Sequence, residues 1–368
     1  MTTDMSKIDK NLAVRKDLSL EGMDIYTPDS SPFELTGLPF RKKGEPFSRF
    51  PEDLDLSFNP NLVPLAARTV GVALRFASDT EKISIHAKVG EGGRLCQMAL
   101  TGSMGFDLYV GKNHTKVFCK CAHFLYSENE YTCELFNVPK RLMREFTIYF
   151  PLCATVKSLE IGFTPGAKVL PPAPWEDPRP IVVYGTSITQ GCCVSRPGML
   201  YSNMLSRLVK RPVYNFGFAG NGRGEKVIAE KLARIPDPAM YILDYDDNAR
   251  PELLSKNLKE FILTLRQAHP STPILALSTE PKSAEAFDPF DRDYASKERP
   301  LYDAIHKKVQ QELREAGDEN IYFLDGRQLY GADFDEFTVD GAHATDLGNY
   351  HIAHNLAVPV ERILNRWW

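Results

Sequence analysis

A chain of 368 residues, 43% hydrophobic and 25% charged, has the composition of a globular protein with room for two domains. A formal net charge of −4, with no basic block in either half, speaks against nucleic acid or an anionic membrane as partner. No apolar run reaches the length of a membrane span, and "MTTDMSKIDKNLAVRKDLSLEG" at the start has no apolar core of the signal-peptide kind, so a cytoplasmic location is expected. The seven cysteines show no CxxC and no Cys/His zinc spacing, which fits reduced thiols; the adjacent Cys192 and Cys193 read as small packing residues.

Residues 1–30 read as an irregular arm. From about residue 68 to 165 the apolar pattern has period two. In "EKISIHAKVG", Ile83, Ile85, Ala87 and Val89 alternate with Lys82, Ser84, His86 and Lys88. "KVFCKCAHF", "YTCELFNV", "REFTIYF" and "KSLEIGF" are further short β-rich runs, separated by Gly, Asn, Ser and Pro clusters. Such spacing predicts a jelly-roll-like β-sandwich over residues 1–165. A Pro-rich stretch, 166–179, reads as a linker.

Beyond it, strand-like runs ("IVVYG", "PVYNFGF", "AMYILDYD", "TPILALST", "NIYFLDG") alternate with helical ones. "PELLSKNLKEFILTLRQAH" puts Leu253, Leu254, Leu258, Phe261, Ile262 and Leu265 on one helical face. Alternation of this kind means a parallel sheet, so residues 180–368 are expected to form a three-layer, flavodoxin-like α/β domain. Ligands in such sheets bind beyond the C-terminal strand ends.

Four segments at those ends hold the chemistry: "YGTSITQG" with Ser187, "NFGFAGNG" with Gly220, "LDYDDNA" with Asn248, and "DGAH" with Asp340 and His343. The order Ser, Gly, Asn, Asp-x-x-His resembles the SGNH or GDSL-type hydrolases over residues from about 178 to the end. The resemblance implies a Ser187–His343–Asp340 triad and an oxyanion hole built from the Ser187 and Gly220 N–H groups and the Asn248 amide. It implies neither a metal nor an organic cofactor. Two departures stand out: Thr186 replaces the Asp common in the family, and Asn248 follows two aspartates where Gly-x-Asn-Asp is usual. The residues alone leave plainer readings open, with Ser187 or Asn248 as a helix cap and Gly220 as an ordinary turn glycine.

The chemistry needs each part. A serine hydroxyl is a poor nucleophile without an adjacent base. A neutral His343 can take its proton, while Asp340 holds the ring tautomer. In "TGSMGFDLYVG", the Gly-x-Asp-Leu-Tyr string is similar to the β-sandwich module that precedes some of these hydrolases; it reads either as a plain strand, with Phe106 and Leu108 on one face and Asp107 and Tyr109 on the other, or as a strand end that projects Asp107 and Tyr109 towards a sugar or the cleft. Arg196 and Glu280 are further substrate-binding candidates, with a salt-bridge role the open alternative for each, and the loop 281–300 is expected to border the site. The reading is a serine esterase acting on a small acyl ester, an O-acetyl group on a carbohydrate being one candidate. The alternatives are an acyltransferase using the same triad and a non-catalytic carbohydrate-binding protein. Because the triad lies in the second half, bond cleavage is expected to need nothing from residues 1–165.

Overall fold

The computed structural model describes residues 8–9, 13–51, 53–90, 93–112, 115–287 and 298–365. In the N-terminal half two antiparallel sheets face each other. One has the order Asp24–Tyr26, Val156–Phe163, Lys82–Val89, Glu130–Asn137. The other runs Val169–Leu170, Ala73–Ser78, Arg144–Tyr149, Asp107–Val110, Val117–Cys121, with Glu34–Thr36 paired to Ala73–Ser78. Side chains alternate across a strand, so Ile83, Ile85 and Ala87 all point inward. They meet Phe76, Phe146, Ile148, Ile161 and Phe163 in one sandwich core.

The stretch read as an arm contributes the strand Asp24–Tyr26, paired to Val156–Phe163. The Pro-rich stretch likewise lies on the sandwich. Its Val169–Leu170 pairs with Ala77 and Ser78, and the Trp175 ring sits 3.9 Å from the Arg75 guanidinium while its indole N–H donates to Glu34 at 2.8 Å.

The second half holds five parallel strands: Ile181–Gly185, Val213–Gly217, Met240–Asp244, Ile274–Leu277 and Ile321–Leu324. The second lies at one edge beside the first, and the third, fourth and fifth follow on the other side. Strand alternation sorts the core into two layers. Ile181 and Val183 pack against Leu205, Ile352 and Leu356 from the helices Tyr201–Val209 and Asp346–Asn365. Val182 and Tyr184 pack against Ile228, Leu258, Phe261 and Val309 from Lys226–Leu232, Asp246–Ala268 and Arg299–Glu315. This is the doubly wound arrangement, with its switch point beside the first strand, where ligands bind. Among the described residues no helix is long and apolar enough to cross a membrane.

The halves share their interior. Phe50, Leu54, Leu62, Leu65 and Ala66 belong to the same apolar cluster as Val182 and Phe216. Phe50 stacks on Phe216 and Phe218 at 5.5 and 5.1 Å.

Candidate active site

The first parallel strand stops at Gly185, and a one-turn helix, Ser187–Gln190, starts two residues later. Thr186 is its N-cap: its Oγ1 accepts the Ile188 N–H at 3.3 Å. The threonine thus does the capping, and Ser187 is left half-buried with its hydroxyl available. As the first residue of the helix, Ser187 has an N–H with no acceptor inside that helix.

Across the cleft, residues 338–345 double back on themselves. Thr338 and Ala344 form a β-bridge, and the Val339 N–H donates to the His343 carbonyl at 2.9 Å. The Asp340 Oδ1 accepts the N–H groups of Ala342 and His343 at 3.2 and 2.8 Å. Its Oδ2 faces the His343 Nδ1 at 2.7 Å, and the His343 Nε2 lies 2.9 Å from the Ser187 Oγ. Burial pushes the Asp340 carboxyl up, but the hydrogen bonds and charge it receives from His343 outweigh this and hold it below the usual carboxylate value. The helix that follows is anchored at its first residue, where the Asp346 carboxylate accepts the N–H and the hydroxyl of Ser195 at 2.8 and 2.5 Å.

Gly220 occupies the third position of a turn closed by the Asn221 N–H to the Phe218 carbonyl at 2.9 Å. Its φ of +70° explains the residue type, because a side chain is strained there. The Ala219 N–H is taken by the Gln190 Oε1 at 3.0 Å, whereas the Gly220 N–H has no acceptor among the described residues. Asn248 lies in the first turn of Asp246–Ala268, but Tyr245 is the cap of that helix. The Asn248 Oδ1 instead accepts the Gly222 N–H at 3.2 Å, which leaves its NH2 group in the cavity it lines with Ser187.

That cavity has a volume of about 730 Å³, and its lining includes Ser187, Asn248, Arg250, Lys282, Phe287 and His343. Residues 281–287 and 298–300 of the loop expected to border the site are described, and Lys282 to Ala284 and Phe287 do line it; 288–297 lie outside the described residues. Lys282 was not foreseen. It donates to the Asp247 Oδ2 at 2.6 Å, while the Thr279 hydroxyl donates to Oδ1 at 2.7 Å. Beneath the cavity, Asp244 accepts the hydroxyls of Thr189 and Tyr201 at 2.6 and 2.9 Å, and burial pushes its carboxyl well up.

The four substrate-binding candidates lie elsewhere. Glu280 is 1% exposed and absent from the cavity lining; burial pushes its carboxyl up to about 7. Asp107 and Tyr109, 0% and 4% exposed, are sealed between the halves. The Arg196 guanidinium donates to the Asp107 Oδ2 at 3.0 Å and to the Tyr109 hydroxyl at 2.5 Å, and the Gly198 N–H donates to the same carboxylate at 2.8 Å. Gly198 lies so close that a Cβ there would fall 2.4 Å from the Tyr109 ring. The string therefore docks the sandwich onto the α/β half. An isolated strand pattern does not say which layer its polar face will meet.

Among the residues not anticipated, Gln190 had a signal: it follows Ser187 by three positions on one helical turn, within the quoted block. Two others, Arg49 and Asn59, had none. The Asn59 Nδ2 donates to the Asn221 Oδ1 at 3.1 Å, and Arg49 reaches the carbonyls of Asn215 and Gly217 at 3.1 and 2.8 Å.

Residues 178–361 match the model of the GDSL-like lipase/acylhydrolase family, and residues 23–169 match that of the N-terminal region of SGNH-hydrolase-type esterases. A solved structure from Bacteroides ovatus, described as a GDSL-like lipase, is 29% identical with a TM-score of 0.82, covering 93% of this chain and 98% of that one. A salicylyl-acyltransferase from a tetracycline biosynthetic pathway is similar at 19% identity and TM-score 0.73, over 91% of this chain and 96% of its own. A family two carbohydrate esterase from Cellvibrio japonicus shares the fold at 13% identity and TM-score 0.58, covering 93% and 98%. No curated protein matches the chain.

Proposed function

Because the chain belongs to the GDSL-like lipase/acylhydrolase family, we propose that it is a serine esterase that removes a small acyl group, an O-acetyl on a carbohydrate in the first instance, through Ser187, His343 and Asp340. One observation supports this above all: an unbroken hydrogen-bond line from Ser187 through His343 to Asp340, at 2.9 and 2.7 Å, opening into the cavity.

In the proposed reaction the His343 Nε2 takes the hydroxyl proton as Ser187 Oγ attacks the ester carbonyl. The negative charge that develops on the carbonyl oxygen is met by the N–H groups of Ser187 and Gly220 and the Asn248 amide. One such donor lowers the barrier by roughly 3–4 kcal/mol. The imidazolium, stabilised by Asp340, returns the proton to the leaving alcohol, and an acyl-Ser187 remains. Water then repeats the sequence with the same base and releases the acid.

The carbohydrate part of the reading is supported by the neighbour from Cellvibrio japonicus and by an acetyl xylan esterase from Butyrivibrio proteoclasticus that shares the fold. Phe287, 72% exposed at the cavity, offers a flat face of the kind on which a sugar ring stacks. The acyltransferase neighbour favours a second reading in which an alcohol replaces water in the last step. A non-catalytic protein would have no use for the assembled triad. The test is turnover of p-nitrophenyl acetate and acetylated sugars by the wild type and by Ser187→Ala, with products analysed with and without an added alcohol. Undiminished turnover by the serine variant would refute the esterase reading, and acyl transfer in preference to hydrolysis would favour the second one.

A further inference from the structure

Asn59 and Asn221 are 162 positions apart in the chain, yet their buried side chains are hydrogen-bonded at 3.1 Å. We propose that Asn59, from the segment between the sandwich strands Glu34–Thr36 and Ala73–Ser78, is a positioning residue for the oxyanion hole, holding the Gly220 N–H in its working direction through the Asn221 amide. The inference rests on the esterase reading above.

The argument turns on one peptide plane. In the turn Phe218–Asn221, the central peptide joins the Ala219 carbonyl to the Gly220 N–H. The two common turn types differ by a half-rotation of that plane, and glycine at the third position tolerates both. A rotation would swing the Gly220 N–H to the opposite side of the turn. Its partner in the same plane, the Ala219 carbonyl, accepts the Asn221 Nδ2 at 2.8 Å. While that bond holds, the Gly220 N–H is fixed on the other side.

The bond requires the Asn221 amide to present its NH2 to Ala219, and Asn59 selects that orientation. Its own NH2 can only donate, so the Asn221 oxygen must face it. Both side chains are nearly buried, at 8% and 9% exposure, so water does not readily substitute.

Asn59 is itself held in place. Its carbonyl accepts the Leu62 N–H at 3.0 Å, and Leu62 and Leu65 are sunk in the α/β core. From the same segment, the fully buried Arg49 joins the Leu65 carbonyl at 2.6 Å to the carbonyls of Asn215 and Gly217 at the end of the second parallel strand. The turn therefore hangs from a strand end that the N-terminal half also grips. On this proposal bond cleavage draws on residues before 165, unlike the expectation from the position of the triad.

The experiment compares Asn59→Ala, the near-isosteric Asn59→Asp and, as a control, Leu65→Ala, which loosens the same segment without removing a hydrogen bond to the turn. Each is measured for Tm, for kcat and KM on p-nitrophenyl acetate, and for inhibition by a boronic acid and by acetate. Asn59→Ala should lower kcat about tenfold with KM within about twofold, since a donor is misdirected rather than deleted. Boronic acid affinity should fall by the same factor and acetate affinity should not. Asn59→Asp should be worse, because a carboxylate accepts where Asn59 donated and turns the Asn221 amide over. Leu65→Ala should lower Tm without this split. The proposal is overturned if the Asn59 variants keep kcat and boronic acid affinity within twofold of wild type, or if Leu65→Ala shows the same loss. Retained activity in Ser187→Ala would instead remove the esterase reading beneath it.

Discussion

Replacing Asp340 by asparagine tests the triad where its geometry is tightest. The carboxylate accepts three hydrogen bonds: Oδ1 takes two backbone N–H groups at 3.2 and 2.8 Å, and Oδ2 takes the His343 ring at 2.7 Å. A carboxamide has only one acceptor end. If its oxygen keeps the two backbone donors, its NH2 faces the His343 Nδ1, and that nitrogen must give up its proton. The proton then sits on Nε2, 2.9 Å from the Ser187 Oγ, and the ring can no longer receive the hydroxyl proton. If the amide turns over, its NH2 meets two N–H donors and both backbone bonds are lost. The first arrangement keeps both backbone bonds and is the one expected; it disables the base, which corresponds to a kcat loss of about 10⁴-fold, or about 5.5 kcal/mol. KM should stay within about twofold, because Asp340 acts on the ring rather than on the ester. The assay is initial-rate hydrolysis of p-nitrophenyl acetate, with Tm recorded to show that the 338–345 turn survives. A loss of less than about tenfold in a folded variant would refute the reasoning.

Two further outcomes concern the buried acids. Glu280 has a folded-state value near 7 against an ordinary 4.5, so the folded protein holds a proton that the unfolded chain releases, and stability should fall as pH rises through that window. The slope amounts to about 3 kcal/mol in all, and Glu280→Gln should remove most of it; denaturant melts at pH 5 and pH 8 giving the same slope in both proteins would exclude Glu280 as its source. Arg196→Met strands the buried Asp107 without its guanidinium and should cost about 3–5 kcal/mol of stability while kcat for a small ester per folded molecule is unchanged. Intact stability with a raised KM for an acetylated sugar would return Arg196 to the substrate site.

Much of the candidate site was legible because its parts are short and local. "GTSITQG" holds the cap, the proposed nucleophile and the glutamine that fixes Ala219, all within one turn of chain. "DGAH" holds an aspartate whose three bonds all fall within the next three residues. Asn248 was legible as a residue, but the partner that orients its amide was not, since its Oδ1 accepts from the Gly222 N–H, 26 positions earlier. Asp107, Tyr109 and Arg196 carry the composition of a sugar site, but charge and aromatic rings serve an interface equally well. Their burial is a property of the two layers together.

Periodicity determined the two architectures from the sequence alone. Side-chain alternation and helical repeat are written in consecutive residues, and each dictates which face must be hidden from water. Which halves would share a core was decided only by the tertiary structure. Phe50 lies outside any helix or strand, and Leu62 and Leu65 lie in a five-residue helix, Leu62–Ala66, too short for a period to assign them; they complete a layer built mainly by strands and helices more than a hundred residues later. The same holds for Arg49 and Asn59. A hydrogen bond over such a distance in the chain is selected by the shape that burial of the surrounding apolar surface imposes, and no local pattern encodes it.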